Sequence, residues 1–552
     1  MAKNLDFIKK LGEELFEKRS NLLTLWQTLA ENFYPERADF TTVRSLGDEF
    51  ASQLMSSYPV LARRDLGNSF GSMLRPTSKD WFKIITDRQE KLGIESKAML
   101  EWMTGLQKRA MYDTRSMFVR ATSEGDMDFA TFGQCVIQVQ MNMEEMALLF
   151  RCWNLRDVAW QEDKVGQVGT IIRRWKATAS TLVATFGADR VHDKVNEAIK
   201  NKKPFTEFMV WHCIVPREIY GDDEYKQPWV SIYYDKDNNH EIECVGSLTK
   251  QYVIPRWQTV SGSQYAYSPA TIVALPDARL IQAMTRVLLE AGEKAVDPPM
   301  LATQDMVWSD ISIYAGGVTW VDAEYDERLG EVLRPISQNI NGIPLGLEMA
   351  QDVRGLITEA FYLNKLSLPH PDTQMTAFEV GHRVQEYIRQ ALPLFEPMEM
   401  EYNGAVCNEA FDVLMNNGAF GAPHDFPKDL KGRDIQFQFE SPLKEATERE
   451  KGQRFLEAKE MLASAIDLDP SAAYIIDASK AVRDVLEGIG VPVSWNRSEA
   501  AVTQMAKEIK AAEQAQNMLA QMKDGAAVAK DLSQASRVAP NNQQQAVPAM
   551  AA

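Results

Sequence analysis

Apolar residues over the first thirty or so positions recur with a helical period. Leu5, Ile8, Leu11, Leu15, Leu22, Leu25, Trp26, Leu29 and Phe33 fall at three- and four-residue spacings, and Pro35 follows as a stop. The pattern predicts one or two docked helices over 5–33. Similar periodicity predicts helices over roughly 47–75 and 92–123, with Leu74 to Phe82 as the break between them. From Phe132 the period changes to two: GQCVIQVQM, a turn at NMEE, then MALLFRCW, the pattern of a hairpin. Strand character continues through 170–175, 205–215, WVSIYYD and HEIECVGSL, interrupted by short helices near 179–200, so a mixed sheet is expected over 130–260.

Ser268-Pro269 supplies an N-cap and a proline at the first helical position, and Pro276 then breaks or restarts that helix. A helix is predicted over about 276–295, closed by Asp297-Pro298-Pro299. Short strands around Gly316-Gly317 follow, and then a second helix over about 345–361. Its apolar stripe is Leu345, Met349, Val353, Ile357 and Phe361, with Glu348, Asp352 and Glu359 off the stripe. Two prolines bound a loop at Asn364–Asp372. A third helix starts near Thr376 and patterns as far as Met415, a length of roughly 60 Å, with kinks expected at Pro393 and Pro397. Beyond Ser441-Pro442 a separate helical unit runs to about 523, broken at Gly488–Pro492, and the Ala/Gln/Asn/Pro-rich stretch 525–552 reads as a disordered tail.

A chain of 552 residues exceeds what one core supports, so several domains are expected. Sixty Lys and Arg against 77 Asp and Glu give a net charge of -17, the reverse of what a tight duplex-DNA binder needs. A conduit through which DNA slides gains from such weak adhesion, although an acidic protein that never meets DNA has the same balance. Five scattered cysteines without CxxC spacing indicate neither a disulfide framework nor a zinc ribbon. No secretion signal and no membrane span is expected.

The strong motifs of NTP, zinc and serine chemistry are absent, and no catalytic residue, metal ligand or cofactor is assigned. Asp235 to Glu241 imitates the start of a calcium loop, but His240 stands where glycine is required and Gly246 where a bidentate glutamate is required. A polar turn between two strands is the better reading. His212 and Cys213 alternate onto opposite faces of a strand, so they cannot join His240 and Cys244 as ligands, and a core cysteine is preferred. His382 on the third helix reads as a packing or surface histidine. Arg279 and Arg286 share a helix face with Glu290 and Glu293, which fits either a solvated mixed-charge face or a DNA-facing one.

The order helix, β excursion, helix, proline-bounded loop and long kinked helix resembles the core of phage portal proteins. The segments Tyr267-Ser268-Pro269-Ala270, Ala274-Leu275-Pro276-Asp277, Glu293 to Pro299 and Met375 to Val380 resemble, in wording and order, parts of the head-to-tail connectors of short-tailed phages. Leu74 to Phe82 and Ser441-Pro442-Leu443 do so too, and the resemblance runs from near residue 10 to about 510.

That resemblance implies an α+β, predominantly helical portal fold in a closed ring, normally of twelve copies. Its parts would be a wing (1–269), stem helices (270–296 and 343–362), a clip (297–342), a channel loop (363–375), a long kinked wing helix and return (376–439) and a crown (440–524). Arg279, Arg286, Lys294, Arg354, Lys365 and His370 would line the channel or face DNA. Trp308, Tyr314 and Trp320 in the clip would touch neighbouring subunits or a partner, or form a small local core. The partners implied are double-stranded DNA in the channel, the terminase with its motor ATPase, the major capsid or scaffold protein, and a tail adaptor. The location implied is a capsid vertex of the virion, after assembly in the host cytoplasm. An enzyme acting on nucleic acid through a carboxylate metal site, or a cytosolic adaptor, are the competing classes.

Overall fold

A computed structural model describes residues 2–296 except 46, 50, 52–53, 78–79, 88–91, 222–224, then 298, 300–302, 333–335, 342–366, 398–439 except 423, and separate pieces between 455 and 518. The N-terminal pattern resolves into α1 (Ala2–Lys18) and α2 (Ser20–Phe33), hinged at Arg19. Trp26, Leu29, Ala30 and Phe33 of α2 enter the main core, where Trp26 meets the rings of Phe40, Phe132 and Tyr265. The helix expected over 47–75 is shorter. Helix α3 (Tyr58–Leu74) starts with Pro59 in its first turn, the one place in a helix where proline's missing N–H costs nothing. A helix begun at 47 would bury that proline mid-run, and 38–57 forms irregular chain instead, apart from the undescribed positions in it.

Past α3 comes β1 (Phe82–Thr86), a strand in what sequence reads only as a break, then α4 (Ile94–Met111) and α5 (Phe118–Phe132). Helix α5 is buried along most of its length and brings Asp126 and Asp128 into the core. Arg75 pairs with Asp126, and Arg37 holds Asp128 at 3.0 Å. Burial pushes both carboxyls up, while the facing guanidiniums pull them back toward the charged form.

The expected hairpin is present as β2 (Val136–Asn142) and β3 (Ala147–Trp153), joined by a turn over 143–146. A short strand β9 (Tyr252–Val253) adds to the other side of β2. A second sheet runs in order through β4 (Val158–Glu162), β5 (Val168–Thr178), β6 (Glu207–Pro216), β7 (Trp229–Asp235) and β8 (His240–Ser247). Two short helices, α6 (Ala179–Phe186) and α7 (Asp193–Lys200), connect β5 to β6, and one turn of helix, α8 (Arg217–Tyr220), follows β6. The region is therefore not a mixed sheet. All its pairings among the described residues are antiparallel, within β4–β8 because each strand returns beside the one before it.

Within this sheet His212 and Cys213 do face opposite ways. Cys213 packs among Ile172, Val230 and Ile232, whereas His212 bonds Tyr252 Oη (2.6 Å) and Ser231 Oγ (2.9 Å) and stacks on Tyr233. Burial drives its pKa down, so it is a neutral core histidine. The calcium-like segment is the β7–β8 turn, closed by Asp235 accepting the Asn238 N–H at 3.1 Å.

Farther along lie β10 (Met300–Ala302) and β11 (Leu333–Pro335), a pair flanked by α9 (Leu275–Val296) and α10 (Gly342–Ala360), then a short α11 (Leu363–Leu366). The described end of the third predicted helix is a wide π turn, Glu399–Gly404, leading into α12 (Ala405–Asn416), and β12 (Ile435–Phe439) then pairs with β1. Helical pieces at 455–462 and 501–516 and α13 (Ala478–Gly488) represent the C-terminal unit, with α13 ending where the glycine-proline break was expected. Pro393, Pro397, His382 and 525–552 lie outside the described residues. Among the described residues no helix is long and apolar enough to cross a membrane.

A candidate functional site on a two-helix stalk

The helix at Ser268 begins as the sequence suggests. Ser268 Oγ accepts the Thr271 N–H at 3.3 Å and donates to the Thr131 carbonyl at 2.6 Å, fixing the start to α5. Pro276 does not break the helix. A π turn over Ala270–Ala274 precedes it and runs directly into α9, so the carbonyl that a regular turn would press against the proline ring is moved aside.

Helix α10 returns antiparallel along α9. They touch closely where Gly346 faces Leu288: a Cβ at Gly346 would lie 2.8 Å from Leu288 Cδ2, so a larger residue would displace the Leu288 side chain. Burial is strongly graded along the pair. Leu275, Ala278 and Ile281 of α9 and Ala350, Val353, Ile357 and Ala360 of α10 are buried in the main core. Toward the β10–β11 end the side chains open to solvent, with Val287 63%, Leu345 60% and Val296 88% exposed. Only the inner half of the predicted α10 stripe is core. Leu345 and Met349 in its outer half are exposed.

These exposed apolar residues sort onto flanks. Leu280 and Val287 stand seven residues apart, so they share a face of α9 to within about 20°, and Leu289 and Val296 share another, roughly half a turn away. Leu345, Met349 and Leu356 form a third strip on α10. The remaining side of α10 carries exposed Glu348, Asp352 and Glu359. The polar side of α9, roughly opposite Leu288, carries Arg279, Glu293 and Arg286, whose Nε lies 3.2 Å from Glu290.

A strap from the irregular chain before α3 holds the stalk at its base. Gln282 Oε1 accepts the N–H groups of Met55 (2.7 Å) and Ser56 (2.8 Å), and its Nε2 donates to the Ser56 carbonyl at 2.8 Å. Tyr58 bonds Thr358 of α10 through their hydroxyls, and Arg354 lies 5.9 Å from the Tyr58 ring.

A projecting helix pair with apolar flanks, rooted in a mixed helix and sheet body, can now be set beside known proteins. The family model described as "Bacteriophage head to tail connecting protein" matches residues 6–495. The chain belongs to this family. The probable portal protein of Bordetella phage BPP-1 is 24% identical over 442 residues, 78% of each chain. The portal protein of Salmonella phage epsilon15 is 21% identical over 448 residues, 80% of this chain and 79% of that one. A solved structure, the neck of an empty GTA particle computed with C6 symmetry, aligns with 84% of this chain and 99% of its own at 9% identity and a TM-score of 0.35, too loose to bear on the fold. The protein is therefore a phage portal, or head-to-tail connector, in a structural rather than enzymatic family of virion components with a role in DNA packaging.

In this connector the expected channel residues are only partly placed. Arg279, Arg286, Lys294 and Arg354 all lie exposed on the stalk. Arg279 and Arg286 share the polar side of α9, Lys294 is on the neighbouring flank, and Arg354 is turned toward Tyr58 at the base. Lys365 belongs to α11, and His370, Trp308, Tyr314 and Trp320 lie outside the described residues, as does the side chain of Lys365. Sequence reading missed Gln282 and the 55–58 strap, since an uncharged amide on a helix gives no sign that it binds backbone more than 200 residues away. No group of three or more His, Cys, Asp and Glu among the described residues could hold a metal ion.

Proposed function

We propose that the connector closes into a ring of copies, normally twelve, through the apolar flanks of its stalk, and that double-stranded DNA passes along the polar side during packaging and ejection. The observation that carries this reading is the pair of unlike apolar flanks on α9, Leu280 with Val287 and Leu289 with Val296, exposed on opposite sides of a helix whose third side is core. A cyclic ring needs two different surfaces on every subunit, one for each neighbour. The side left for the lumen is acidic on α10, through Glu348, Asp352 and Glu359, and on α9 the Arg286 charge is offset by Glu290. Such a lining repels phosphate and lets a duplex slide.

In this reading residues 297–342, with Trp308, Tyr314 and Trp320, form the tip that meets the terminase during loading and the tail adaptor afterwards. Lys365, at the end of α11, and His370, in the loop that follows, would lie toward the channel. Residues 1–269 with the long helix form a wing against the capsid or scaffold protein at one vertex, and the helical pieces beyond 440 form a crown. ATP hydrolysis is assigned to the terminase. Negative-stain imaging of the purified protein, alone and with scaffold protein, tests the proposal. Annular particles with an axial hole wide enough for a duplex are expected, and compact monomers under both conditions would overturn it.

A further inference from the structure

The last residue of α7 and the turn after it carry three lysines in four residues, in a chain whose net charge is -17. Lys202 N–H bonds the Ile199 carbonyl at 3.0 Å, and Lys203 N–H bonds the Ala198 carbonyl at 2.8 Å. This pair of bonds is a Schellman cap with Lys202 in the left-handed position at φ 56°. Glycine is the usual residue there, because a side chain in that conformation costs roughly 1 kcal/mol. Lys200, Lys202 and Lys203 are all exposed, and none is in an ion pair among the described residues. Glu207, the next carboxylate along the chain, is held by Lys176 at 3.3 Å. Phe205 follows at 81% exposure, with Ile199 as the nearest exposed apolar residue along the chain.

Attraction to the helix C-terminus accounts for a cation at Lys200. It does not account for lysine at Lys202, where glycine would relieve the backbone, nor for an unshielded phenyl ring. A protein interface of useful size would surround such a ring with apolar neighbours. A polyanion with stackable rings fits better: cations on a rigid turn meet successive phosphates, and an aromatic face takes an unstacked base.

We propose that the Lys200–Phe205 turn is a nucleic-acid contact on the body of the connector, separate from the stalk, which binds single-stranded phosphodiester backbone and stacks a base on Phe205. The reading does not depend on the channel, and its failure would leave annular assembly untouched. The test is binding of a fluorescein-labelled oligothymidine to the full-length protein, across a salt series and against polyglutamate as competitor. Lys202→Gly removes the charge at a position that favours glycine, so melting temperature should hold or rise while affinity drops. The slope of log affinity against log salt should become shallower by about 0.7 for Lys202→Gly and by about 2 when Lys200→Gln and Lys203→Gln are added. Phe205→Ala should weaken binding roughly tenfold with little change in that slope. Unchanged affinity and salt slope in these variants would overturn the proposal. So would displacement of the oligonucleotide by polyglutamate at equal charge, which would mark the turn as a site for an acidic protein.

Discussion

The body and the stalk of this connector treat apolar side chains in opposite ways. Around α2, α5 and α12 large residues such as Trp26, Phe129 and Tyr402 are fully buried, and even carboxylates are taken inside with matched guanidiniums. On the stalk, apolar positions change from buried at Ile281 and Val353 to mostly exposed at Val287 and Met349 within two turns. One chain therefore completes the body but not the stalk. Scattered exposed apolar residues would need no comment, but residues ordered into flanks on a projecting helix pair are the surface through which the proposed ring would close.

That contrast can be broken most forcefully in the body. Asp126→Ala would leave Arg75 buried without its partner and should cost about 3–5 kcal/mol in denaturant unfolding. A loss below about 1 kcal/mol would mean that water reaches the pair and the body is looser than described. Glu409 sharpens the comparison through pH. It is buried on α12, accepts the Gln251 N–H at 2.5 Å, and burial pushes its pKa up to about 7 from an ordinary 4.5. The folded state thus holds this proton more tightly than the unfolded state, so the stability the group contributes falls as pH rises from about 4.5 through about 7. Glu409→Gln should flatten that dependence and raise stability on the order of 2 kcal/mol above pH of about 8. Equal pH profiles for the two proteins would remove Glu409 from the account.

A smaller effect is expected where body and stalk meet. Gln282→Ala removes the clamp on Met55 and Ser56 and should cost about 1 kcal/mol. Faster hydrogen exchange confined to the strap and the base of α9 is the signature, and exchange rising equally across the body sheets would show that the clamp is not local.

Local periodicity made much of this architecture legible. The β2–β3 hairpin and the cores of α9 and α10 follow, in order, from period-two and helical patterns with clear stops, and that order carries the family resemblance. What escaped depended on distant partners. Phe82–Thr86 becomes a strand only because Ile435–Phe439 lies beside it, and the sequence between them carries no sign of the pairing. Nothing in the sequence marks Asp126 and Asp128 as core residues, because their burial depends on Arg75 and Arg37. Pro276 marks a restart, as one of its two expected outcomes, but the π turn that makes the restart continuous has no sequence signal. The charges expected in a channel were recognisable by residue type, but their facing depends on neighbours that a single chain does not supply.

Sedimentation of a Val287→Asp, Leu345→Asp double variant beside the wild type is the most direct test of a stalk completed by other copies. The account expects ring-sized particles from the wild type. It expects monomers from the variant, with unfolding stability within about 0.5 kcal/mol because both residues are exposed in the single chain. A variant that assembles as the wild type does, or one that unfolds before it dissociates, would contradict it.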